Sequence, residues 1–297
     1  MQCCYTPEQY KESFMKLTHV ADRAGRLFSF LQGEMSMSAG LINRLKWHEK
    51  ILVNGNPQHT DFAVQPGDTI TVLLDTPQVD YPAEQGNLTI LYEDAHILAV
   101  DKPAGMLIHP SRSKNTGTLA NFVMGYYEKT GQTCAFHPLT RLDRDTFGVV
   151  LLAKNPHISA LLQAGDMKKT YHAIVVGDPE QEMGVIDAPI ARKPLPSLLR
   201  EIREDGKRSV TEYRVLERSG KLCKLELKPI TGRTHQLRLH CAYKGFPILG
   251  DPQYHNEASL QMSWEKGIST QLLCAKRLEF THPVNCESMT IESTLDV

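Results

Sequence analysis

The sequence predicts an α+β fold in which a mixed, largely antiparallel sheet makes up most of the chain and a small unit of helices and turns precedes it. Three observations predict this. After Leu88, β-branched and apolar segments of strand length crowd together without regular crossover helices between them, which disfavours a doubly wound parallel sheet. Clear helical periodicity in that region is confined to TLANFVMGYYEKT and ISALLQAG. Before Thr76, apolar residues at helical spacing give way to turn signals and a β-branched run. With 297 residues, 41% of them hydrophobic, the chain can bury one large core and one small one.

In order along the chain, Thr6-Pro7-Glu8 is a good helix start, because the hydroxyl can cap and proline suits the first turn. Leu27, Phe28, Leu31, Leu41, Ile42 and Leu45 then fall at helical spacing, predicting two amphipathic helices broken near Gly33. Asn54-Gly55 and Pro66-Gly67-Asp68 are turns, and Thr69 to Val72 reads as a strand. Two prolines and a glycine in DTPQVDYPAEQGN mark a linker, placed at residues 79–87 between a unit at 1–78 and a domain at 88–297. In that domain LTILYE and ILAVDK are strands around an acidic turn, FGVVLLAKN is a buried strand, and TYHAIVVGD, SVTEYRVLER, KLCKLELKPI and MTIESTL are further strands.

The formal net charge of −1 points to no polyanionic partner overall, so any surface for one must be local. IARKPLPSLLREIREDGKRS offers such a surface in Arg192, Lys193, Arg200, Arg203, Lys207 and Arg208, interrupted by Glu201, Glu204 and Asp205. Among seven cysteines only Cys3 and Cys4 are close, and no C-x-x-C spacing occurs, which favours neither a zinc site nor a disulfide framework. The N-terminus lacks the basic and apolar regions of a signal peptide, and no apolar run reaches membrane-spanning length, so a cytoplasmic location with no membrane partner is expected.

Two clusters could carry chemistry. In HPLTRLDRDTFGVVLLAK the charges Arg141, Asp143, Arg144 and Asp145 stand at the lip of a buried strand. In THQLRLHCAYKGFPILGDPQY, Arg233, His235, Gln236, Arg238 and His240 are packed together, but the spacing of the histidines suits no helical metal face. Alternation leaves open whether this second segment is a strand or turns into a helix.

Two helices followed by turns at Asn54-Gly55 and Gly67-Asp68 resemble the αL RNA-binding module, with the difference that only Arg44, Lys46 and Lys50 supply positive charge near the second helix. From about Leu88 onward, EDAHILAVDKPAGMLIHP, RLDRDTFGVVLLAK, KKTYHAIVVG, GKRSVTEYRVLER, PITGRTHQLRLHCAYKGFPILGDPQY and LLCAKRLEFTHPV resemble, in order, the successive motif blocks of the RluA-type pseudouridine synthases. The resemblance implies a catalytic domain of pseudouridine synthase type at 88–297. It also implies a reaction that breaks the bond between uracil and ribose, rotates the base and rejoins it through carbon. The implied reaction needs no redox cofactor and no metal and takes ribosomal or transfer RNA as its partner, and the protein is expected to be a monomer.

Residue by residue, the resemblance makes Asp143 the nucleophile, a role for which an ionised carboxylate is suited. Asp145, two residues on, competes for that role on sequence alone. Arg238 becomes its bidentate partner, with Arg233 as the runner-up. Tyr171 stacks on the flipped base and relays the proton that leaves the ring carbon. Arg141 enters the space vacated by the base, Leu249 or Ile248 lies beneath it, and His235 and Gln236 complete the substrate contacts. Lys102, Pro103, Gly105 and His109 belong to a block read as structural. Thr140 replaces the family's usual His, and Phe147 replaces Ser or Thr, putting a bulky ring in the turn that presents Asp143. These departures keep a second reading in view, a non-catalytic RNA-binding or folding factor on the same scaffold. A hydrolase or lyase acting on a nucleoside-like small molecule is the third.

Overall fold

The computed structural model describes residues 14–35, 37, 39–75, 81–111, 114–194, 196–197 and 199–297. The helix expected from Thr6 lies outside them.

The N-terminal elements are β1 (Phe14–Val20), β2 (Gly25–Arg26), α1 (Leu27–Gln32), α2 (Ala39–Lys46), β3 (Ile51–Val53), β4 (Asn56–Pro57), β5 (Ala63–Val64) and β6 (Thr69–Asp75). Strands β1-β6-β3-β4 pair in that order, all antiparallel. The two turn signals hold each other. Asn54 and Gly55 both adopt positive φ, as a tight hairpin demands. The Asn54 side chain donates to Asp68 at 2.8 Å and accepts from the Thr69 N–H at 2.9 Å. The helices break at Gly33, whose N–H caps α1 by donating to Ser29. Leu17, Phe30, Leu31, Ile42, Ile70 and Val72 belong to one buried cluster drawn only from residues 17–74. Strand β1 was not legible in FMKLTHV.

The remaining elements are β7 (Thr89–Glu93), β8 (Ile97–Lys102), α3 (Leu119–Lys129), β9 (His137–Pro138), β10 (Phe147–Ala153), α4 (Pro156–Ala164), β11 (Met167–Val176) and β12 (Met183–Asp187). After them come β13 (Ile190–Arg192), β14 (Arg200–Ile202), β15 (Val210–Ser219), β16 (Leu222–Pro229), α5 (Gln236–Tyr243), α6 (Glu257–Glu265), β17 (Leu273–Thr281) and β18 (Ser288–Glu292). Ten strands form one sheet in the order β12-β15-β16-β11-β17-β10-β8-β7, with β18 on β17 and β9 on β10. Among the described residues only the β10–β17 pair of this sheet is parallel, so the mixed, largely antiparallel α+β fold is as expected.

That parallel pair fixes the centre. Gly148 has φ +110, and a Cβ there would stand 2.4 Å from the Ala275 carbonyl oxygen, so only glycine lets β10 approach β17 this closely. The loop before β10 is thereby anchored at the middle of the sheet. Residues 81–87 are not a free tether. Glu84 donates its N–H to Asn121 of α3 at 3.0 Å, its carboxylate accepts from the Gly117 N–H, and Asn121 donates to the Pro82 carbonyl at 2.8 Å. No helix among the described residues is long and apolar enough to cross a membrane.

Candidate active site

A cavity of about 670 Å³ opens between the loop before β10, the cavity-facing side of β11 and the turn into α5. Arg141 and Asp143 reach it from the loop, Lys169 and Tyr171 from β11, and Arg233 and His235 from the turn.

The loop is held at several points so that Asp143 projects. Lys102, fully buried, donates to the Arg144 carbonyl at 2.9 Å and to the Met106 and Pro103 carbonyls at 2.9 and 3.0 Å. Burial lowers its pKa to about 8, against the opposing charges of Asp145 and Asp143. Thr140 is buried, and its hydroxyl accepts from the Leu151 N–H at 3.1 Å, so this departure from the family pattern serves the loop's anchorage. Phe147 opens β10 opposite Cys274 and does not line the cavity.

Geometry separates the two competing carboxylates. Asp143 lines the cavity with its side chain 29% exposed and accepts from Arg238 at 2.9 Å. Asp145 turns away, is buried, and accepts from the Nε and Nη2 edge of the Arg144 guanidinium.

The segment left open between strand and helix is helical. His235 takes φ +57 and ends the GRT turn, after which α5 begins at Gln236. A left-handed conformation is uncommon outside glycine and signals local constraint. The His235 ring is held by Tyr254, whose hydroxyl lies 2.9 Å from Nδ1, while Nε2 stands 3.8 Å from Asp143. Burial lowers the His235 pKa, with Asp143 opposing the shift and Arg238 and Arg200 adding to it.

The expected Asp143–Arg238 pair is present, but the bidentate fork goes elsewhere. Arg238 gives Nε to Asp251 at 2.7 Å and Nη2 to Asp251 at 2.8 Å, while a single bond from Nη1 reaches Asp143. Nη2 also donates to Gln253 at 3.0 Å, and the guanidinium lies 5.3 Å from the Tyr254 ring centroid. Burial alone would lower the arginine's pKa, yet Asp251 and Asp143 outweigh it and raise the value. The fork meets Asp251 because both residues are almost completely buried and two buried charges need a full set of partners. Asp251 was missed because its place beside Arg238, thirteen residues earlier, depends on the turn after Gly250.

Gln236 borders the cavity, but its polar atoms are spent within the fold. Its carbonyl oxygen accepts from Thr231 and from the Arg233 N–H, and its amide donates to the Val210 carbonyl and to Thr211. All four hydrogen-bonding positions are filled, which makes it a clamp on the GRT turn rather than a free substrate contact. Leu249 does not border this cavity. Its N–H donates to Ile174, and Leu249 lines a separate cleft with Ile174 and Leu272, while Ile248 packs into the core beside Val175. Ile174 and Tyr171 have opposite parity on β11, so Leu249 sits on the other face of the strand.

Tyr171 is partly buried, and burial, with Asp143 adding to it, raises its phenol pKa. Lys169, Met167 and His109 also line the cavity and were not anticipated there. His109 is fixed by Tyr81, whose hydroxyl lies 3.2 Å from Nδ1. Beside the site, the expected basic stretch forms the ribbon β13–β14, with Arg192 directly across from Arg200. The Arg200 N–H donates to the Tyr254 hydroxyl, which ties the ribbon to His235. Arg203 is engaged by Glu201 and Asp205, and Arg208 lies near Asp187. Among the described residues no group of three or more His, Cys, Asp or Glu side chains is placed to hold a metal ion.

Residues 96–243 match the RNA pseudouridylate synthase family. The chain is 33% identical over 274 residues to the uncharacterized RNA pseudouridine synthase YhcT of Bacillus subtilis (strain 168), covering 90% of this chain and 88% of that protein. It is 34% identical over 278 residues to the ribosomal large subunit pseudouridine synthase D of Xanthomonas campestris pv. campestris, covering 89% and 84% respectively. Among solved structures, Human RNA Pseudouridylate Synthase Domain Containing 1 aligns with a TM-score of 0.57 and 26% identity over 72% of this chain and 86% of that one. Human RNA Pseudouridylate Synthase Domain Containing 4 aligns with a TM-score of 0.55 and 25% identity over 70% and 88%.

Proposed function

The chain belongs to the RluA-type family of RNA pseudouridine synthases, isomerases that act on RNA, and from that premise we propose that it isomerises a uridine of ribosomal or transfer RNA with Asp143 as the nucleophile. The observation that carries the reading is Asp143 standing in the cavity, oriented by a buried arginine and faced by Tyr171. A carboxylate so held can attack the ribose of a flipped uridine as the bond to the base breaks. The base then turns, its ring carbon bonds to the sugar as the carboxylate leaves, and the proton lost from that carbon is matched by one gained at the ring nitrogen released from the sugar, so that substrate and product are isomers.

Unstacking the uridine costs a few kcal/mol, which contacts along the RNA must return. Arg141 fills the vacated place, and Tyr171 supplies a stacking face. The raised pKa of Tyr171 favours stacking over base catalysis, because its hydroxyl keeps its proton at neutral pH. Arg192 opposite Arg200 supports an RNA path over the β13–β14 ribbon, since like charges paired across two strands are unfavourable until an anion lies between them. We assign residues 1–78 to an αL-like RNA-holding module and 88–297 to the catalytic domain, supported by the separate sheet and buried cluster of the first part. The printed name of the Xanthomonas relative supports ribosomal RNA as the first substrate to try.

Incubation with RNA carrying tritium at the uracil ring carbon separates the readings. Release of label into water from intact strands is the expected result. Binding without release would favour the non-catalytic factor, and release of free base would favour a hydrolase.

A further inference from the structure

Two lysines among the described residues, Lys102 and Lys154, are buried and fully employed. Lys102 donates to three carbonyls, and Lys154 pairs with Glu93 at 2.7 Å and with Gln132 at 2.8 Å. Lys169 is different. It is partly buried, lines the same cavity as Asp143, and among the described residues no hydrogen bond or ion pair reaches its ammonium group. An ammonium that lines a partly desolvated cavity and has no partner in the protein gains from an incoming anion. Burial accordingly lowers its pKa.

Its place on β11 says where that anion would lie. Met167, Lys169 and Tyr171 all reach the cavity from one side of the strand. Lys169 is therefore one strand step from the ring proposed to stack on the uracil. Asp143 is already engaged by Arg238 and stands within 4 Å of His235. The substrate itself carries the charge that Lys169 lacks, because each nucleotide brings a phosphate next to its base. We propose that Lys169 holds the backbone phosphate adjoining the flipped uridine, and so fixes which nucleotide enters the cavity. This inference rests on the reading of the cavity as a uridine site.

The test uses an RNA stem-loop in which the full-length protein forms pseudouridine. Binding is measured from low to high salt for the wild type, Lys169→Met, Lys169→Arg and Lys168→Met, with melting curves for each. Lys168 is exposed and belongs to the other parity of β11, so its variant controls for the loss of one charge. Loss of a single phosphate contact to an unpaired strand should reduce the slope of log affinity against log salt by about 0.7 in Lys169→Met. Lys169→Arg should keep the slope, and Lys168→Met should leave it unchanged. Replacing the phosphate next to the modified uridine by an uncharged methylphosphonate should weaken the wild type severalfold and leave Lys169→Met unaffected. The proposal is overturned by an unchanged slope in Lys169→Met, by an equal change in Lys168→Met, or by methylphosphonate effects that simply add to the mutation. If the wild type forms no pseudouridine in any ribosomal or transfer RNA, the functional reading fails, whatever Lys169 does.

Discussion

Asp251 holds Arg238 through two bonds of 2.7 and 2.8 Å, which leaves a different edge of the same guanidinium to meet Asp143. The arginine is thus a relay of position between a buried carboxylate and one that faces the cavity. Lysine can serve one carboxylate but cannot span both. Arg238→Lys should lower the single-turnover rate by about 10- to 100-fold, the loss of a charge-assisted hydrogen bond of roughly 1.5–3 kcal/mol. Asp251→Ala leaves a buried cation short of a partner and should cost about 3–5 kcal/mol of stability in urea titration. Full activity in Arg238→Lys would contradict the bridging role.

Tyr171→Phe keeps the ring and removes only the hydroxyl. If stacking is its role, the single-turnover rate should stay within about twofold of the wild type, while Tyr171→Leu should lose about 1–3 kcal/mol of base contact. A Tyr171→Phe enzyme that cleaves the glycosidic bond but stalls before the ring proton leaves would restore the relay role.

Gly125 lies within α3, where alanine would ordinarily be favoured by about 1 kcal/mol. A Cβ there would stand 1.9 Å from the Glu84 carbonyl oxygen. Gly125→Ala should therefore reverse the usual sign and destabilise by about 1–3 kcal/mol in thermal or urea unfolding. A stabilised variant would mean that residues 81–87 are not docked on α3.

Acid should weaken the fold through histidines buried in the neutral state. His157 is 1% exposed, its Nδ1 has no hydrogen-bond partner among the described residues, and burial lowers its pKa to about 4. The unfolded chain binds this proton near its ordinary 6.5, so stability contributed by the neutral ring is present above that value and is lost as pH falls towards 4. The full effect is roughly 3 kcal/mol. Urea titrations at pH 7 and pH 4.5 should show a smaller loss for His157→Leu than for the wild type, and an equal loss would exclude His157 as the acid-sensitive group.

Much of this fold could be read because local pattern and tertiary outcome agree. The apolar run at Phe147–Ala153 is a buried strand, and the periodicity of Leu119–Lys129 is a helix. The pairing of Asp143 with Arg238 followed from motif blocks 95 residues apart. Other features depend on contacts that spacing does not encode. The helix at Gln236–Tyr243 starts only because His235 adopts a left-handed turn, whereas the alternation of HQLRLH suits a strand equally well. Asp251 could not be assigned to Arg238 without the turn that brings it back. Leu249 was placed beneath the base, but it lines a separate cleft with Ile174 and Leu272.

The central claim is that Asp143, and not its neighbour Asp145, carries the reaction. The most direct measurement is pseudouridine formed in substrate RNA by Asp143→Asn and Asp145→Asn, read by mass spectrometry alongside melting temperature and RNA affinity. Asp143→Asn should bind RNA and melt like the wild type while forming no detectable pseudouridine, and Asp145→Asn, whose carboxylate is turned towards Arg144, should retain turnover. Turnover by Asp143→Asn, or its loss in Asp145→Asn alone with the fold intact, would contradict the account.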